Sequence, residues 1–381
     1  MFKPTLIKFL FSVFAVCAFL VAGNAAADPL SSLNNPSVFN PALTVFGNFM
    51  GCFGDEHDHD DAHEAEAEHE HEHQHSLCSN SFLLREVEFD FRAAIDPYAD
   101  GVVILSVEQE EAGEFRAQIE EAFVVLKPGF QLKLGRFRSS FGGINRIHLH
   151  DLPQMTSPLA YRNFMGEHGL GQDGVSAEFL LPTPGDSNAF TLNLETIWGD
   201  KLRLNAGQNL WPKFVGRLSS FVDIGGGHDI DLGTSALVQI RDDASPFQLY
   251  GADFNYRWRP YVLGNKRSFL LGGELFVANQ AAKFFEDTLP IGGFAWAQMQ
   301  FNENTYLGVR YSFDKGVTED NLLNTTAGVF LTYYTTEFLR LRVGYERASN
   351  DVSFKQGQNL FMAELNFIFG SHPTEPYWVN R

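Results

Sequence analysis

Residues 359–369 alternate strictly. Phe361, Ala363, Leu365, Phe367 and Phe369 fall on one side; Leu360, Met362, Glu364, Asn366 and Ile368 fall on the other. A period of two marks a strand with one apolar face and one mixed face. Residues 84–96 repeat the pattern, with Val87, Phe89, Phe91, Ala93 and Ile95 set against Glu86, Glu88, Asp90 and Arg92. The same reading predicts strands over 40–50, 101–112, 114–127, 130–138, 170–181, 189–199, 212–222 and 229–241. It continues over 247–259, 268–278, 291–301, 304–313, 323–335, 337–348 and 358–369, sixteen in all. In 212–222, 268–278 and 291–301, Gly and Ala blur the two faces.

So many strands of ten or more residues in one unbroken series fit membrane-spanning strands better than a soluble sandwich. No apolar run of helical membrane length follows the N-terminus, so a helical-bundle membrane protein is excluded. The connections alternate between short turns rich in Gly, Pro, Asn and Asp and longer segments. That asymmetry predicts an all-β fold, a transmembrane antiparallel β-barrel of sixteen strands with its long loops extracellular. Fourteen or eighteen strands also fit, because Ala112 with Gly113 and residues 260–267 break the alternation. Trp198, Trp258, Tyr311, Tyr333 and Tyr345 stand near strand ends, where interfacial aromatic girdles lie. The closing strand, apolar on one face and ending in an aromatic, resembles that of bacterial outer-membrane β-barrels, and the resemblance implies recognition by the barrel assembly machinery.

Residues 1–27 read as a signal peptide: Lys3 and Lys8, an apolar core over 9–22, then Ala25, Ala26 and Ala27. A leader over 28–37, the barrel over 38–370 and a polar periplasmic tail over 371–381 complete the expected organisation. The mature chain keeps Cys52 and Cys78, and an isolated pair in an exported protein suggests a disulfide. Two thiolate metal ligands are the alternative.

The chain carries a formal charge of −19. Residues 51–80 alone hold ten acids and no Lys or Arg. Such a balance argues against nucleic acid and suits attraction of cations. His57, His59, His63, His69, His71, His73 and His75 lie among those acids. Imidazole and carboxylate together are ligands that zinc, nickel and copper(II) accept. The spacing enforces no single arrangement, so several weak sites are expected, with zinc or another divalent transition metal bound. A solvated loop with a charge role alone would have the same composition. No catalytic nucleophile motif accompanies any histidine.

The second unusual stretch is 139–169, long for a connection and bounded by Gly142, Gly143 and Gly169 to Gly171. It is expected to fold into the lumen as a constriction. Over the wider stretch 134–182 the candidate pore residues are Arg136, Arg138, Arg146, His148, His150, Asp151, Arg162 and His168. His148, His150 and Asp151 could also relay a metal; a structural loop held by Arg–Asp pairs is the plainer alternative. Across the strands the inward phase collects Arg92, Arg116, Lys133, Arg217, Arg241, Arg257, Arg259, Arg310, Arg340 and Arg342. Against these ten bases stand nine acids, Glu86, Glu88, Asp90, Glu120, Glu195, Asp231, Asp253, Glu346 and Glu364. A lumen so balanced is not a simple anion funnel.

The order GRFRSSFG, long loop, LGQDGVSAEF resembles the phosphate-selective porin O/P group. With NPAL, LREVEFDFRAAIDPYAD and the His-rich first loop, residues 38–370 resemble zinc-regulated outer-membrane receptors more specifically. The resemblance implies a sixteen-stranded barrel in the outer membrane of a Gram-negative bacterium, a role in solute or metal entry, and assembly as a homotrimer. The chain is too short for a plug domain plus a 22-strand barrel. The expectation is therefore a porin-like channel assisting zinc acquisition. A general or anion-selective porin and a surface metal buffer are the alternatives.

Overall fold

The computed structural model describes residues 41–54, 81–111, 114–127, 130–166, 168–183, 187–199, 202, 212–240, 246–260, 266–279, 289–317, 321–350, 357–370 and 376–380. The expected signal peptide, leader, His-rich segment and Cys78 lie outside these residues. Cys52, near the end of its strand, is disulfide-bonded.

Sixteen antiparallel strands close on themselves. They are β1 (Ala42–Gly54), β2 (Ser81–Asp96), β3 (Ala99–Glu111), β4 (Glu114–Leu126), β5 (Gln131–Arg138), β6 (Gly171–Leu181), β7 (Asn188–Trp198) and β8 (Lys213–Gly225). The series continues with β9 (His228–Gln239), β10 (Phe247–Trp258), β11 (Ser268–Asn279), β12 (Ile291–Gln300), β13 (Thr305–Lys315), β14 (Leu323–Thr336), β15 (Leu339–Asn350) and β16 (Gln358–Gly370). Each pairs with its sequence neighbours. β1 closes on β16, from Thr44 opposite Gly370 to Gly54 opposite Leu360. Closure leaves no sheet edge, so every strand finds its ladder within the barrel.

The alternation decides which face points where. Leu218, Leu275, Val309, Leu331, Val343 and Phe361 are exposed on the outside. Between them Arg217, Glu274, Arg310, Thr332, Arg342 and Glu364 are buried on the inside. An apolar exterior around a polar interior is the reverse of a soluble protein and the arrangement of a membrane barrel. The strands over 213–225, 268–279 and 291–300 form despite their blurred faces. Gly292 shows why: a Cβ there would lie 2.8 Å from the Phe164 ring and 3.2 Å from Ala160 Cβ. The inner face is small there because something packs against it.

That packing partner is the connection between β5 and β6. Starting where β5 ends, it forms two 3₁₀ turns, Ile144–Arg146 and Leu149–Asp151, and one short helix, α1 (Leu159–Met165). Gly166 at φ 90° ends α1. Phe141, Met155, Ala160, Phe164 and Leu170 are fully buried inside the barrel. Phe164 and Phe141 pack on Phe276 of β11, with centroids 5.5 and 6.4 Å apart.

The other end of the chain departs from expectation. The sequence reads residues 371–381 as a short polar periplasmic tail. Residues 376–380 instead turn back into the lumen from the end where β16 finishes. Trp378 is fully buried, edge-on to Tyr306 at 5.4 Å, with the Arg340 guanidinium 5.6 Å from its ring. Tyr377 and Trp378 are the apolar part of the tail, and the barrel interior is where they escape water.

Candidate functional site

A connection without a ladder of its own must find partners for its backbone groups. Here the barrel wall supplies them, sorted by charge. On one wall, arginines take carbonyls. Arg342 donates to the carbonyls of Leu152 and Gln154 at 2.8 and 3.0 Å, and Arg85 to that of Met155 at 2.6 Å. Arg310 donates to the carbonyl of Thr156 and Arg340 to that of His150. On the opposite wall, carboxylates and hydroxyls take amides. Glu195 accepts from Ser140 N at 3.0 Å, Ser235 Oγ from Gly142 N at 3.0 Å, and Glu274 from Gly143 N and Ile144 N at 2.9 and 2.5 Å. The near-equal numbers of inward bases and acids thus have a structural use: both kinds of backbone group are held, and the loop is fixed across the lumen.

Gly142 is required at its turn. Its φ is 71°, and a Cβ there would lie 2.6 Å from Glu274 Oε2.

The cations are balanced in turn by acids. Arg342 Nε donates to Glu364 at 2.7 Å, Arg310 pairs with Glu346 at 3.0 Å, and Arg217 pairs with Asp253 at 2.5 Å. Beside the loop a cavity of about 470 Å³ remains, lined among others by Arg146, Arg217, Asp231, Asp253, Arg257 and Tyr377.

The expected pore residues separate into groups. Arg146 is exposed to this cavity. Arg138 turns inward, donating to Glu120 at 2.9 Å and to the His168 carbonyl at 3.0 Å. Arg162 is half-buried on α1. His168 is about half exposed, 3.6 Å from Glu108. Arg136 must be corrected. It shares the outward phase of Leu134, which is exposed to the exterior, and pairs at 2.8 Å with Asp173 on the neighbouring strand. It does not line the pore.

His148, His150 and Asp151 come together with the β2–β4 wall. His148 Nδ1 lies 3.0 Å from Glu88 and 3.3 Å from Glu120; its Nε2 lies 3.8 Å from Glu121. His150 Nδ1 lies 3.7 Å from Glu86 and 3.8 Å from Glu88, and its Nε2 lies 3.8 Å from Asp151. The His150 ring stacks on Phe46 at 4.4 Å. Burial opposes the charged form of both imidazoles, yet the carboxylates overcome it. They hold His148 up to about 10 and His150 up to about 9.

Two irregularities build this wall. The β1–β2 register slips where Asn48 faces Glu86 and Phe49 faces Leu84, which leaves Arg85 as an extra residue turned inward. The β3–β4 register slips where Ile104 faces Glu121 and Leu105 faces Ile119, so the successive residues Glu120 and Glu121 both reach the lumen. Strict alternation cannot foresee either, and Glu121 was missed for that reason. Glu108 was legible from the phase of 101–112. Glu274 was hidden among the glycines of its strand.

No family model matches the chain. An uncharacterized protein of Aquifex aeolicus is 28% identical over 340 residues, covering 78% of this chain and 70% of that one. Among solved structures, the anion-selective porin from Comamonas acidovorans superposes with a TM-score of 0.56 at 11% identity, covering 86% of this chain and all of that one. The outer-membrane channel DcaP of Acinetobacter baumannii gives 0.55 at 10% identity over 87% of this chain and 97% of that one. Pseudomonas putida OprB gives 0.54 at 9% identity over 86% and 94%. The shared feature is the fold, a closed sixteen-strand porin barrel.

Proposed function

We propose that this chain is a porin-like channel in the outer membrane of a Gram-negative bacterium, and that it assists the uptake of divalent metal, zinc foremost. The observation that carries the channel reading is the loop over 139–170, held across the lumen by both walls beside a polar cavity. A loop so placed sets what passes by its width and its charged lining. The metal reading rests on composition: the His-rich acidic segment 51–81 would gather cations at the outer mouth. Of the three solved structures named above, one is an outer-membrane channel and one an anion-selective porin, and the third shares their fold, which supports the channel reading. Homotrimeric assembly belongs to the same proposal, with each barrel a separate channel.

The test is uptake. Cells carrying the chain without 55–77 should accumulate less zinc when zinc is scarce, and unchanged accumulation would remove the capture role. A second reading is favoured by one observation, the exposure of Arg146 to the cavity: a general or anion-selective porin whose His-rich segment is incidental. Reversal potentials across a salt gradient separate the two by sign.

A further inference from the structure

The β2–β4 wall offers more than a constriction. Glu86, Glu88 and His150 are each buried, and their ligand atoms lie within 4.8 Å of one another. Glu88, Glu120 and His148 form a second such group that shares Glu88. Acidic clusters alone signify little. Here the imidazole is the telling part. His150 is 2% exposed, and its Nδ1 is aimed between Glu86 and Glu88 with no hydrogen-bond partner. Glu88 Oε2, on a residue also 2% exposed, faces the same gap and is met at 3.0 Å by His148 Nδ1. A buried donor left without a hydrogen bond, as His150 Nδ1 is, is costly and rare.

We propose that Glu86, Glu88 and His150 form a binding site for a divalent transition-metal ion in the pore wall, with His148 and Glu120 as adjoining ligands. Ligands at about 2.0–2.1 Å from a tetrahedral zinc stand roughly 3.4 Å apart. The separations of 3.7 and 3.8 Å from His150 Nδ1 to the two carboxylates need to close by only a few tenths of an ångström. One imidazole with two or more carboxylates suits zinc, cobalt or manganese over calcium. The outer surroundings of His150 are those of a ligand. Asp151 faces its other nitrogen, Phe46 stacks on its ring, and Arg340 holds its backbone carbonyl. The bulge that brings Glu121 inward beside Glu120 adds one more carboxylate to this wall than a regular strand would. The site is independent of the His-rich segment. It rests on the channel reading only for the path by which an ion reaches it.

The experiment uses purified, folded protein lacking residues 55–77, titrated with Zn²⁺ and Co²⁺ by calorimetry, with conductance of the same sample recorded in bilayers. Saturable binding is expected, weakened at least tenfold by Glu88→Gln and by His150→Asn. X-ray absorption of the zinc-loaded sample should show imidazole in the coordination shell. Binding unaltered in both variants, no binding at all, or a shell without imidazole would each overturn the site. If a variant fails to fold, judged by heat-modifiable mobility, the absorption spectrum of the unsubstituted protein decides. A sample that binds metal through Glu88 and His150 but conducts nothing would refute the channel reading and leave the site standing. A sample that conducts and binds nothing would do the reverse.

Discussion

The indole N–H of Trp378 donates to the carbonyl of Asp151 at 2.7 Å. The two residues reach this contact from opposite ends of the barrel, the tail from the end where β16 finishes and the loop from the end where β5 finishes. Tyr377 lines the same cavity as Arg146, and Gln300 donates to the Asn380 carbonyl at 2.6 Å. The tail therefore narrows the lumen from one side while the loop narrows it from the other. Removing residues 376–381 should raise single-channel conductance about twofold or more without changing the β1–β16 closure. Unchanged conductance would mean the ions pass elsewhere.

Glu364 holds the arginines under the loop. It pairs with Arg342 and stands 3.8 and 4.0 Å from Arg85 and Arg340, with its own side chain fully buried. Breaking a buried pair by removing one partner costs about 3–5 kcal/mol. Glu364→Gln should lower the temperature of the folded-to-unfolded mobility shift and expose the loop to protease. Arg136→Gln, which disturbs only a surface pair, should change neither beyond ~1 kcal/mol.

The imidazoles make the metal-free protein sensitive to pH. Burial, and for His148 the nearby Arg138, oppose the charged imidazoles, yet Glu88 and Glu120 raise the pKa of His148, and Glu88, Asp151 and Glu86 that of His150, above the ordinary histidine value. A raised folded-state value means stabilisation that is fully present below about pH 6.5 and lost as pH rises through about 9 to 10. With chelator present, melting temperature should fall over that window. The doubly substituted His148→Asn, His150→Asn protein should show a smaller fall, and an identical profile would contradict the ion pairing.

Much of the fold was legible because the lipid enforces alternation on every outward position. Val87, Phe89 and Phe91 could not face inward, so Glu86 and Glu88 had to. Strand ends were set by turn residues and agree within a few positions. What alternation could not reveal were the departures from it: Arg85 and Glu121, both brought inward by a slip of one register. Nor could it place Trp378, whose burial depends on a pocket made by Tyr306, Tyr334 and Arg340 from the adjacent strands β13, β14 and β15. Arg136 was misplaced for a simpler reason. It was read with the loop it precedes, although its phase belongs to the exterior face of β5. His148 and His150 were recognised by type, but their partners on β2 and β4 are brought there only by the fold.

The central claim is a channel narrowed by the loop over 139–170 and open to divalent cations. The most direct measurement is the current through the single reconstituted barrel in a planar bilayer, with a salt gradient and zinc added on one side. Discrete conductance steps, a reversal potential of cation-selective sign and a block or shift on adding zinc are the expected result. A silent bilayer, or an anion-selective current indifferent to zinc, would contradict the account.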